Sequence, residues 1–209
     1  MTTTTARRAF LVGTPLAFAA LLLLHPTGGG DFSALVTENV NRWLALHVAA
    51  AALFPLMGYA LWLLVRDLPG RAATVARVAV PVYVVFYGVF ETVMGIGSGI
   101  VAKEANGLSG AERDGVNAAL ETIPTNPLVG ESGLFSSIGS VAWVVAIAAA
   151  IMALRKAGAR RSAQVLLGLG AIMVMHIPPF GPIALVCFSA AALLIESRRE
   201  VRQPAVAVS

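Results

Sequence analysis

Residues 43–65 read WLALHVAAAALFPLMGYALWLLV, and Arg66 follows at once. As a helix this stretch is about 34 Å long at about 1.5 Å per residue. That is enough to cross a hydrocarbon core of about 30 Å. Its one imidazole, His47, lies a turn inside Trp43. Five further apolar runs flank it, at residues 9–24, 78–102, 133–154, 162–177 and 183–195. The sequence therefore predicts an all-α polytopic membrane protein, a bundle of six transmembrane helices forming a single transmembrane domain over residues 1–209.

The charges orient that bundle. With the N-terminus placed inside, the inner segments carry Arg7, Arg8, Arg66, Arg71, Arg77, Arg155, Lys156, Arg160, Arg161, Arg198, Arg199 and Arg202. The outer segments carry Arg42, Lys103 and Arg113. Twelve basic residues against three set both termini in the cytoplasm by the positive-inside rule, in a multi-pass protein of the cytoplasmic membrane.

Composition closes off other classes. The chain is 57% hydrophobic and 12% charged over 209 residues. Soluble domains carry about 25% charged residues. The net charge of +4 is an excess of inner-loop anchors, which face anionic lipid headgroups, and not a stripe for nucleic acid. The bilayer is the partner the sequence specifies, and no nucleic-acid partner is expected. The single cysteine, Cys187, lies inside an apolar run and excludes an internal disulfide or a thiolate metal cluster. Arg7-Arg8 before an apolar stretch resembles a twin-arginine export signal. No small-residue cleavage site follows it, so an uncleaved first helix is expected.

Loop signals lie mainly on the outer side. Residues 26–30, PTGGG, end the first span, and Phe32, Leu35, Val36, Val40 and Trp43 then recur at helical spacing, with Asp31 placed to cap. In the long outer loop, Ser109-Gly110-Ala111-Glu112 has the form of a capping box ahead of Val116, Leu120 and Ile123. Two short amphipathic outer helices are predicted. The tail 203–209 is expected to be disordered.

Polar groups concentrate in the outer half. His25 and His176 end the first and fifth runs, and His47 and Ser98 each lie about 6 Å below the outer surface. Glu91 lies about 16 Å deep, near the midplane, with Tyr87, Gly95 and Ser98 on its helical face. A carboxylate at that depth costs about 3 kcal/mol to insert, so it needs a partner or a proton. These residues, Glu91, His47, His176, Tyr87, Ser98 and His25, are the candidate ligand-binding set. They predict a polar pocket, open to the extracytoplasmic side, that binds or senses a small ligand or a proton.

Enzymatic alternatives each fail on spacing. Imidazole and carboxylate suit zinc, but no HxxxH or HExxH pair is present, and Glu91 is about 10 Å deeper than His47. Interfacial histidines bonded at helix ends are the preferred reading, so no metal site is assigned. His47 with His176 is the one plausible haem pair. Ser98 with a histidine matches a nucleophile in depth. Gly95 and Gly99 frame it as a helix-packing motif, and Ile96 breaks the Gly-x-Ser-Gly order of rhomboid proteases. Met173 and Met175 beside His176 read as packing residues before copper ligands. The spacings of histidine-box hydroxylases and four-histidine two-haem cytochromes are absent. The sequence names no cofactor, no reaction and no oligomeric state.

Overall fold

A computed structural model describes residues 3–28 and 30–202. The tail 203–209, expected to be disordered, lies outside the described residues. The chain is 80% helical, with no strand among the described residues. In order, the elements are α1 (Thr3–Leu22), α2 (Phe32–Glu38), α3 (Val40–Val65), α4 (Arg71–Glu91), a π-helical turn (Thr92–Gly97), α5 (Ser98–Ala105) and α6 (Gly110–Glu121). Then follow α7 (Leu134–Lys156), α8 (Arg161–Leu169), a 3-10 turn (Gly170–Val174) and α9 (Phe180–Arg202).

Five of these helical stretches are long and apolar enough to cross a membrane: Thr5–Leu22, Val40–Val65, Arg71–Ala105, Leu134–Lys156 and Phe180–Arg199. Most begin or end outside the apolar runs because helix hydrogen bonding continues past the hydrocarbon edge. The run at 162–177 is different. It forms a shorter apolar segment, Arg161–Val174, that ends in a 3-10 turn. Gly168 and Gly170 weaken α-helix there. Nine α-helical residues and five 3-10 residues reach only about 24 Å.

One end of the bundle is held by arginines. Arg7 bonds Glu196 at 2.9 Å and also donates to the Leu63 carbonyl at 2.7 Å. Arg199 bonds Glu196 at 3.0 Å and the Leu64 carbonyl at 2.9 Å. Arg77 donates to the carbonyls of Val65, Arg66 and Leu68. The last carbonyls of a helix lack partners within it, and here basic side chains from α1, α4 and α9 cap the end of α3. The start of α1 and the end of α9 thus meet at one end of the bundle.

Small residues set the helix spacing. A Cβ on Gly139 of α7 would stand 2.6 Å from the Tyr87 backbone nitrogen, so α4 and α7 touch backbone to backbone. A Cβ on Gly99 would stand 2.8 Å from Leu44 Cγ, and one on Gly95 would collide with His47. The glycines at 95 and 99 therefore pack α3 against the π turn and α5. Tyr83, Tyr87, Phe54, Phe18 and Trp143 fill the centre, fully buried.

At the opposite end α2, α5 and α6 form a small cap over α3, with Val36, Trp43, Ala102 and Leu120 as its buried core. Neither predicted cap forms as written. Asp31 and Ser109 hold the N-cap positions of α2 and α6 without a side-chain bond. The carboxylate of Glu121, at the end of α6, instead accepts the Ser33 amide at 2.6 Å and the Phe32 amide at 3.2 Å. The first amides of α2 are thus capped from a helix far along the chain, which no local motif announces. Hydrogen bonds from Ser33, followed by Phe32, hold the Glu121 carboxyl below its ordinary range.

Candidate functional site

Three histidines meet at this capped end. His25 follows the last turn of α1, His47 is in the second turn of α3, and His176 follows the 3-10 turn. One ring nitrogen from each lies within 4.8 Å of the others. The His25 ring centroid is 5.3 Å from His47 and 5.4 Å from His176, edge-on to both. His25 and His47 are buried, and the His176 side chain is 14% exposed.

The Nδ1 nitrogen of each histidine is already committed. His47 Nδ1 donates to the Trp43 carbonyl one turn earlier at 2.8 Å. His25 Nδ1 donates to the Pro26 carbonyl at 2.7 Å. A carbonyl only accepts, so each Nδ1 carries the proton and each Nε2 keeps a lone pair. The Tyr87 hydroxyl donates to the Val174 carbonyl at 2.9 Å and lies 3.0 Å from His176 Nδ1. Its one proton is used on Val174, so its oxygen accepts from His176. Glu91 Oε1 lies 3.4 Å from the same Nδ1 and makes no hydrogen bond of its own. Burial, followed by the neighbouring His176, pushes His25 down from 6.5 to about 4, so it is neutral near pH 7.

Local structure explains the placement. The π turn at Thr92–Gly97 widens the α4–α5 helix where α3 crosses it. The Gly95 carbonyl accepts the Trp43 indole N–H at 2.6 Å. Trp43 is buried and lies over His47 at 4.3 Å, with Phe32 edge-on behind it. Single-turn π segments recur at functional sites.

Of the six residues predicted from sequence, the structure brings five together: His25, His47, His176, Tyr87 and Glu91. Ser98 stays apart. Its hydroxyl donates to the carbonyls of Met94 and Gly95 on its own helix, the local back-bonding usual for a helical serine. Glu91 faces His176 and not His47, because the short α8 and 3-10 leg leaves His176 recessed to the level of the carboxylate. The third imidazole, His25, fills the space beside the one plausible haem pair, His47 and His176, where a macrocycle would have to lie. Sequence reasoning missed Trp43 as an internal anchor and the convergence of the three rings. Their separation along the chain leaves no local signal for either.

No protein family, no curated protein and no solved structure matches this chain. The site is therefore read from its geometry.

Proposed function

We propose that this is a six-crossing protein of the cytoplasmic membrane, with both termini in the cytoplasm. Its His25–His47–His176–Glu91–Tyr87 cluster is a binding or sensing site reached from the extracytoplasmic side. The convergence of five polar groups from four separate chain segments carries this reading. Folding alone gives no reason to gather unpaired acceptors in an apolar bundle, since burying polar groups is costly unless they are bonded. The Arg161–Val174 segment serves as the sixth crossing, shortened and completed by the turn that holds His176. The basic excess at the Arg7–Glu196–Arg199 end supports placing that end inside.

Two measurements test this. In a Cys187→Ala background, a membrane-impermeant thiol reagent added outside should label Gly107→Cys and spare Ala157→Cys; the reverse pattern refutes the orientation. Diethyl pyrocarbonate added to right-side-out vesicles should modify His176, the most exposed of the three, as read by mass spectrometry. If none of the three histidines reacts, and Glu91→Gln changes nothing but stability, the cluster is a structural knot and the reading falls.

A further inference from the structure

We propose that His25, His47 and His176 hold a borderline divalent transition-metal ion of the zinc class through their Nε2 atoms, with Glu91 and Tyr87 as positioning groups behind His176. This rests on the binding-site reading above and names its ligand.

The distances fit with little adjustment. Three nitrogens within 4.8 Å of one another lie at most about 2.8 Å from a common point. Zinc–imidazole bonds are about 2.0–2.1 Å, so each ring has about 0.7 Å to close. His25 and His176 sit on turns just beyond helix ends, where small backbone shifts supply that movement.

The protonation pattern points the same way. His25 and His47 each give Nδ1–H to a backbone carbonyl, and His176 gives its own to Tyr87 with Glu91 alongside. Among the described residues, none of the three Nε2 atoms accepts a hydrogen bond. Metal-bound histidines characteristically donate the other ring N–H to a carbonyl or carboxylate, which fixes the tautomer and the ring direction. Here all three rings are fixed in that manner, which leaves Nε2 of each ring as its available donor to an ion, and one nitrogen from each ring lies within 4.8 Å of the others.

The donor set selects the class of ion. Three neutral imidazoles suit zinc, copper, nickel or cobalt. Calcium and magnesium require oxygen ligands, and Glu91 stands behind a ring, outside the three-nitrogen set. Cys187, on α9, is not part of the cluster, so no thiolate competes. Three protein ligands leave a tetrahedral ion one open position, which marks exchangeable rather than purely structural sites. A small molecule bound by this protein would take that fourth place. The Glu91 carboxyl stands one ring away from the ion, 3.4 Å from His176 Nδ1, and loss of such an outer partner typically costs about 10–100-fold in metal affinity.

Tag-free protein in nanodiscs, stripped with chelator, is titrated with Zn2+ by calorimetry and with Co2+ by visible absorption. One ion per chain is expected, with the Co2+ bands of a four-coordinate nitrogen site. Co2+ should also quench Trp43, whose ring is 4.3 Å from His47. Trp43→Phe removes that quenching and keeps the stoichiometry. His47→Ala and His176→Ala should each weaken binding at least about 100-fold, and Glu91→Gln about 10–100-fold with the stoichiometry unchanged. Should the histidine variants fail to fold, the wild-type Co2+ spectrum still decides, because intense four-coordinate bands distinguish an ion held by protein ligands from the weakly absorbing aqua ion. Absence of stoichiometric uptake by wild-type protein overturns the metal proposal. If pyrocarbonate still reaches His176 in that case, the binding-site reading survives; if none of the three histidines reacts and Glu91→Gln changes nothing but stability, both fall. Unchanged affinity in Glu91→Gln removes the positioning role alone.

Discussion

Gly95 is where fold and site meet, and Gly95→Ala is the sharpest single perturbation of both. A Cβ at this position would lie 2.5 Å from His47 Cγ and 2.8 Å from His47 Cβ. Carbon atoms rest at about 3.5–4.0 Å, so α3 must retreat by about 1 Å or the His47 ring must turn out of its place. His47 Cβ is fixed to the helix, which makes retreat of α3 the only full remedy. The Trp43–Gly95 bond, now 2.6 Å, then stretches to the limit of hydrogen bonding. Overpacking costs about 1–3 kcal/mol, and a buried indole N–H left without its acceptor costs about 1–3 kcal/mol more. Against this, replacing glycine by alanine within a helix gains at most about 1 kcal/mol. The net loss is therefore about 3 kcal/mol, or about 6–12 °C in Tm for a chain of this size.

The assay is thermal unfolding of purified protein in one fixed lipid nanodisc, followed by tryptophan fluorescence. Gly88→Ala is the control, because a Cβ there meets nothing within 4 Å. It should be neutral or slightly stabilising, through the same gain in helix propensity. Equal Tm values for Gly95→Ala and Gly88→Ala would refute the claim that this glycine is required by the close approach of α3. The metal titration gives a second reading, since His47 is displaced along with the helix. Gly95→Ala should weaken ion binding while Gly88→Ala leaves it intact.

Other outcomes follow from single contacts. Glu196, only 4% exposed, holds both Arg7 and Arg199; Glu196→Ala removes the buried carboxylate the two arginines share, leaves only the exposed Asp67 nearby, and should destabilise by about 3 kcal/mol in the same unfolding assay. Asp67, 63% exposed and 3.7 Å from Arg7, should change stability by less than about 1 kcal/mol as Asp67→Ala. Glu121 has a carboxyl pKa depressed by folding, so its contribution is present above the unfolded value and is lost as pH falls through the folded one. The protection factors of the Phe32 and Ser33 amides, corrected for the intrinsic pH dependence of exchange, should fall on acidification, and Glu121→Gln should lower them at neutral pH as well. Ser98→Ala should shift stability by less than about 1 kcal/mol and leave ion binding unchanged; loss of ion binding would show that the hydroxyl takes part in the site.

The all-helical membrane character was legible because hydrophobic length is a property of a contiguous stretch, and residues 43–65 display it without any tertiary information. The run at 162–177 reads as a short fifth span that ends in a tight turn at His176 to Pro182. Its composition is apolar enough, but Gly168 and Gly170 shorten the helix, and hydropathy does not register how much a glycine weakens one. The caps of α2 and α6 differ from the local motifs for another reason. Asp31 and the Ser109–Glu112 box are local patterns, whereas the partner of the α2 amides is Glu121, separated from Ser33 by 88 residues.

The candidate site was legible in level and not in direction. His25, His47 and His176 each fall near a helix end, and counting residues from the apolar edges places all three at one end of the bundle. Whether their rings meet depends on helix rotation and lateral packing, which hydropathy leaves free. Here those are set by Gly139 against the Tyr87 backbone, Gly95 against His47, and the Trp43 bond to the Gly95 carbonyl. The first contact brings α4 and its Tyr87 and Glu91 to their position against α7. The second and third fix α3 and the ring of His47. The last leg of the chain then stops short at Val174, which drops His176 beside Glu91 instead of above it. The features that depart from a regular apolar bundle, namely the π turn, the shortened leg and the two close glycines, therefore all act on the same cluster. The proposed site, in which three imidazoles must converge on one ion, would require this arrangement.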